Sequence, residues 1–134
     1  MRARLWPEAN PQVLAEEARA FSAGSAVPGL TVVFFATDDA AVPLGFLELS
    51  VRAFSDGCDS APVPHIEGWY VEPQARGKGV GRSLVDSAER WARARGFTEL
   101  ASDTGIGNEA SLRAHTRCGF DEVERLIKFR KPLV

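Results

Sequence analysis

Residues 75–83 read ARGKGVGRS, with glycines at 77, 79 and 81 and basic side chains at 76, 78 and 82. Glycine is costly inside regular structure, so three at alternate positions ask for a reason. A helical pattern starts immediately afterwards: Val80, Leu84, Ala88 and Trp91 recur at spacings of four, four and three, and Gly96 closes the pattern. Just before the glycines, HIEGWYV (His65–Val71) is strand-like, and Pro73 restricts Glu72 to extended backbone. The glycines therefore lie between a strand and a helix start. There, free backbone N–H groups point outward and the helix dipole adds about half a positive charge. A phosphate or pyrophosphate is the ligand that suits such a loop. A glycine-rich turn with solvated basic residues is the alternative.

Two well-known phosphate loops do not fit. A P-loop requires G-x-x-x-x-G-K-[ST], and here Gly77-Lys78 is followed by Gly79. A dinucleotide fingerprint requires G-x-G-x-x-G near the first strand of its unit, and Gly77-x-Gly79-x-Gly81 has the wrong final spacing and comes late.

The pattern outside the loop is α/β with a mixed sheet. Asn10 and Pro11 open a helix with Val13, Leu14, Ala18 and Phe21 on one face, ending at Gly24. LTVVFFAT (Leu30–Thr37) and VPLGFLELSVR (Val42–Arg52) read as an antiparallel strand pair around the turn DDAA. Ala53–Pro64 is a loop. After the long helix, Phe97–Ser102 is a strand that should join His65–Val71 by a right-handed crossover. NEASLRAHTRCGF forms a short helix from Asn108 to Gly119, and Glu122–Lys131 alternates like a last strand.

The 134 residues fit one domain, 1–134, with 45% hydrophobic and 25% charged residues as in ordinary globular chains. A net charge of −2 argues against nucleic acid. No apolar run approaches the roughly 20 residues of a membrane span, and the start MRARLWPEANPQ lacks a signal-peptide core. The cytoplasm is the expected compartment. Cys58 and Cys118 lack zinc-ligand spacing and there are only two histidines, so no metal is expected.

Arg76-x-x-Gly79-x-Gly81, preceded by GWYVEPQA, resembles the acetyl-coenzyme A loop of the GCN5-related N-acetyltransferase (GNAT) family. NEASLRAHTRCGF is similar to that family's N-x-x-[AS]…G-F segment. LWPE at Leu5–Glu8, IEGWYVEPQARGKGVGRSLVDSAERWAR, TELASDTGIGNEAS and DEVERLIKFRK together resemble the aminoglycoside 6′-N-acetyltransferases. The resemblance implies a GNAT-type mixed sheet with flanking helices, and transfer of acetyl from acetyl-CoA to the 6′-amine of an aminoglycoside. Another small amine or polyamine as acceptor, or acetyl-CoA binding without turnover, are the alternatives.

The resemblance also implies roles. Trp69, Tyr70 and Val71 would meet the pantetheine arm. Arg76, Gly77, Lys78, Gly79, Val80, Gly81 and Arg82 would hold the pyrophosphate, and Asn108, also a helix cap, would lie near the thioester. The cationic acceptor would meet Glu67, Asp103 and Glu124, with Trp6 on a sugar ring and Phe54 where relatives carry a tyrosine. An amine with pKa near 10 is neutral about once per thousand molecules at pH 7, so a base is needed; Glu67 is the candidate, directly or through water. His115 sits where many relatives have a tyrosine that protonates the thiolate, or it merely packs in its helix. Trp6 comes so soon after Met1 that the family's first strand is expected to be missing: either the start is misassigned, or the sheet edge is open or supplied by a partner chain, and a homodimer is the favoured reading.

Overall fold

The computed structural model describes residues 1–24 and 29–134. The chain separates into two compact units, Met1–Asp103 and Thr104–Val134. The first unit holds helices α1 (Arg2–Leu5) and α2 (Pro11–Ser22), strands β1 (Val32–Thr37), β2 (Pro43–Arg52) and β3 (Val63–Val71), helix α3 (Val80–Ala94) and strand β4 (Ala101–Ser102). The second holds α4 (Glu109–Arg117).

The sheet order is β1-β2-β3-β4. β1 and β2 pair antiparallel, as do β2 and β3, while β3 and β4 pair parallel. The βαβ crossover through α3 is thus present. β2 and β3 form the centre: Phe46, Leu47, Leu49, Val63, Ile66 and Tyr70 are buried, and Leu84, Val85, Ala88 and Ala92 of α3 are buried with them. That is the apolar stripe expected of α3, shifted so that Ala92 is buried and Trp91 is half-exposed.

Gly45 sits where α3 and β3 meet β2. A Cβ added there would stand 2.6 Å from the Tyr70 carbonyl oxygen and 3.3 Å from Leu84 Cδ1. The Tyr70 carbonyl is backbone and cannot yield without disturbing β2–β3 pairing. Gly45→Ala should therefore cost about 2 kcal/mol, in the range of core overpacking. Urea unfolding monitored by tryptophan fluorescence checks this, and an unchanged midpoint would contradict it.

Two expected strands are corrected. Phe97–Ser102 pairs as a strand only over Ala101–Ser102, against His65 and Ile66 of β3. Glu122–Lys131 forms no strand. Alternation supplies faces but not a partner, and among the described residues the second unit holds no other strand to pair with it. Phe129 there is 93% exposed.

Candidate active site

The register of β2 against β3 slips between Glu48 and Leu49: Glu48 faces Gly68 while Leu49 faces Ile66. Glu67 is the extra residue of that β-bulge, a device that re-aims a side chain. β4 pairs with β3 only up to Ile66, so among the described residues no strand lies beside Trp69, Tyr70 and Val71 on the side away from β2.

The Glu67 carboxylate is engaged. The Arg52 Nε donates to its Oε1 and the Arg52 Nη2 to its Oε2, each at 2.8 Å, and the Ser50 hydroxyl donates to Oε1. A bidentate guanidinium pair of this kind is short and directional. His65, fully buried, places Nδ1 3.5 Å from Glu67 Oε1 and Nε2 3.5 Å from Asp103 Oδ2. Burial pushes the Glu67 carboxyl up, but the Arg52 and Ser50 hydrogen bonds and the charges of His65 and Arg52 together hold it below the usual range. Burial and the Arg52 charge push His65 down, against the opposite pull of Glu67 and Asp103.

An isolated carboxylate in a largely buried strand needs a cationic partner or a function. Arg52 is that partner, and neither it, Ser50 nor His65 stands out in the sequence. The signal lay in the pairing frame: with the bulge admitted, Ser50 and Arg52 of β2 face His65 and Val63, beside Glu67.

Trp6 reaches the same strand. A Cβ on Gly68 would stand 2.6 Å from Trp6 Cη2, so the missing side chain is the slot that receives the indole. Phe46 supports it at 6.3 Å between ring centroids. Two arginines anchor the short helix that carries Trp6. The Arg2 Nη1 donates to the Leu14 carbonyl at 2.8 Å and its Nε pairs with Glu48 Oε1 at 2.6 Å. Arg4 pairs with buried Glu72. Burial raises the Glu48 carboxyl against the opposing pull of Arg2.

The glycine loop now has a reason at each position. Gly77 and Gly79 lie at φ 74° and 85°, left-handed backbone that side chains disfavour. Gly79 caps α3, and Gly81 is there because a Cβ would meet Trp69 Cζ2 at 3.2 Å. The turn presents the N-terminus of a 15-residue helix, with Lys78 and Arg82 exposed beside it. Arg76 is partly committed: its Nε donates to the Val71 carbonyl at 2.8 Å and its guanidinium lies 5.6 Å from the Tyr70 ring.

In the second unit, Asn108 Oδ1 accepts from the Ser111 N–H at 3.1 Å and caps α4 as expected. His115 Nδ1 lies 2.7 Å from the Ser111 carbonyl oxygen, an acceptor, so Nδ1 carries a proton. The other ring nitrogen then bears a proton only in the imidazolium. Phe120 meets the His115 ring edge-on at 5.3 Å. Glu124 and Phe54 are exposed, Phe54 at 70%. Among the described residues no group of three or more His, Cys, Asp or Glu could hold a metal ion, and no helix is long and apolar enough to cross a membrane.

Residues 1–120 match the acetyltransferase (GNAT) family. The chain is 48% identical to an aminoglycoside N(6')-acetyltransferase type 1 of Klebsiella aerogenes, covering 99% of this chain and 87% of that protein. It is 39% identical to one of Stenotrophomonas maltophilia, over 99% and 84% of the two chains. Among solved structures, AAC(6')-Iy in complex with the bisubstrate analogue CoA-S-monomethyl-acetylneamine superposes with a TM-score of 0.84 at 36% identity, over 99% and 88% of the two chains.

Proposed function

The chain belongs to the acetyltransferase (GNAT) family, and from that premise we propose that it moves acetyl from acetyl-CoA to the 6′-amine of an aminoglycoside. The observation that carries the acceptor is the 48% identity over 99% of the chain to a curated aminoglycoside N(6')-acetyltransferase. The cofactor loop alone would serve any acceptor.

In this reading the amides at the start of α3, with Lys78 and Arg82, hold the diphosphate, and the edge of β3 at Trp69–Val71 takes the pantetheine arm. Because Arg76 already binds the Val71 carbonyl, its contribution is to fix the turn as well as to add charge. Glu67 and Asp103 receive the cationic acceptor, with Trp6 against a sugar ring. Glu67 takes the amine's proton, directly or through water, so that the neutral nitrogen attacks the thioester. A backbone N–H near Val71 holds the tetrahedral oxyanion. Asn108 near the thioester, His115 as thiolate acid, and Phe54 and Glu124 as acceptor contacts are carried by sequence alone. By the His115 tautomer, the acid would be the imidazolium.

We take residues 1–134 as one acetyltransferase domain, acting in the cytoplasm where acetyl-CoA is held. We also propose a homodimer. Its support is the apolar edge strand β1, with Phe35 64% exposed, since such edges invite pairing. Sedimentation giving a monomer at micromolar concentration would remove it.

An acceptor panel decides the function: release of free coenzyme A thiol with aminoglycosides bearing a 6′-amine, with none from analogues bearing a 6′-hydroxyl. Turnover only with polyamines or peptide amines would overturn it.

Arg52 gives this reading a pH signature. In Arg52→Ala the two guanidinium hydrogen bonds are lost, and burial of Glu67 acts with less opposition. The Glu67 carboxyl then titrates at higher pH than in the parent enzyme. Because the base works only when ionised, the acid limb of kcat/KM should move to higher pH. Loss of activity with an unmoved acid limb would exclude Glu67 as the group it reports.

A further inference from the structure

Glu67 is a poor final resting place for a proton. Arg52 and Ser50 both donate to it, and its carboxyl is held below the usual range. A second basic group lies directly behind it. His65 is 2% exposed, its Nδ1 is buried with no hydrogen-bond partner, and that nitrogen is 3.5 Å from Glu67 Oε1. On the other side of the ring, Nε2 is 3.5 Å from Asp103 Oδ2, and the Asp103 side chain is 68% exposed. The sheet brings the groups together: β3 carries His65 and Glu67, and β4, whose Ala101 pairs with His65, leads into Asp103. Each ring nitrogen faces a carboxylate, but Glu67 already accepts from Ser50 and Arg52, so Asp103 is the one left to face the ring N–H at Nε2, and Nδ1 is the base.

We propose that His65, oriented by Asp103, is the terminal proton acceptor of the reaction, reached through Glu67. This rests on the acetyltransferase reading above. The steps balance without any change of oxidation state. An N–H bond of the acceptor ammonium breaks and its proton joins Glu67, leaving a neutral amine and a carboxylic acid. The acid passes that proton to His65 Nδ1, giving a carboxylate and an imidazolium, while the other ring proton stays on Nε2, facing the Asp103 carboxylate. After the amide product leaves, the Nδ1 proton returns through Glu67 to water entering the emptied site. The charged groups that face the ring are Arg52 from β2, Glu67 from β3 and Asp103 after β4. Burial and Arg52 keep the resting ring neutral, and the two carboxylates stabilise it once charged.

His65 acts through Glu67 rather than on substrate, so the test must separate proton transfer from packing. His65→Asn keeps a hydrogen-bond acceptor near Nδ1 but takes up no proton. The expected result is kcat with a 6′-amino aminoglycoside reduced about tenfold or more at pH 7, a part of the effect of a general base. KM for the acceptor and Kd for acetyl-CoA should stay within about twofold, and the deficit should narrow at pH 9, where more amine is neutral. Should the variant fail to fold, the pH profile of kcat in the parent enzyme replaces it. An acid limb that needs two groups deprotonated supports the relay, and one that fits a single ionisation overturns it. An active parent enzyme whose His65→Asn variant keeps kcat and its pH profile overturns this inference alone. A parent enzyme inactive on every amine overturns the functional reading and this inference with it.

Discussion

Glu67→Gln should lower kcat at pH 7 by about a hundredfold, near the lower end of what a positioned general base contributes. Glutamine fits the same space at the β-bulge, and its oxygen still accepts from Ser50 and the Arg52 Nε, while its NH2 meets the Arg52 Nη2 donor and gives up the second bond of the fork. What disappears is a basic oxygen. The variant also removes the nearer counter-charge of the Arg52 guanidinium, leaving Asp103, but that pair is partly open to solvent, with 40% and 27% of the two side chains exposed. Its loss should cost stability on the order of 1 kcal/mol. A melting curve separates that cost from the catalytic one.

The pH dependence separates a base from a binding charge. A primary amine with pKa near 10 is neutral in about one molecule per thousand at pH 7 and about one in ten at pH 9. If Glu67 removes the proton, the deficit of Glu67→Gln shrinks as pH rises, because the acceptor arrives already neutral. If Glu67 only holds the ammonium, the variant shows a raised acceptor KM with kcat little changed. A kcat within twofold of the parent at pH 7 would remove Glu67 as the base.

What the sequence carried, and what it did not, follows from how each feature is encoded. Glycine spacing is local, so the turn before α3 was legible, while the left-handed backbone at Gly77 and Gly79 is seen only in the structure. The reason for Gly81 was not, because it depends on the Trp69 indole lying across the turn. Glu67 was named as the candidate base, but its partner was not. Arg52 is 15 residues away and meets it only once β2 and β3 are aligned with a one-residue slip. His65 opens a strand-like stretch; its place between two carboxylates requires β4 to be parallel to β3. Trp6 was placed by resemblance, and the slot it occupies comes from Gly68. The alternation of Glu122–Lys131 was legible, yet a strand is a property of a pair, and pattern in one segment does not supply the second.

Replacing Gly79 by valine should weaken acetyl-CoA binding by at least tenfold. Gly79 has φ 85° and caps α3, and its carbonyl accepts from the Ser83 N–H at 3.0 Å. Left-handed backbone costs an ordinary residue about 1–2 kcal/mol, and a β-branched one is a genuine outlier there. No atom lies within 4 Å of a Cβ built at this position, so the whole penalty is conformational. The turn relieves it by rotating, and rotation moves the amides of the first helical turn away from the diphosphate. A loss of 1.4 kcal/mol is a factor of ten in affinity. Gly96→Val is the matched control. Gly96 has φ 82°, also meets nothing within 4 Å, and lies just past the other end of the same helix. Both variants should lose similar stability, but only Gly79→Val should raise Kd for acetyl-CoA in calorimetry. Equal Kd values in the two variants would mean that the mouth of α3 does not grip the cofactor, and the diphosphate would have to be sought elsewhere.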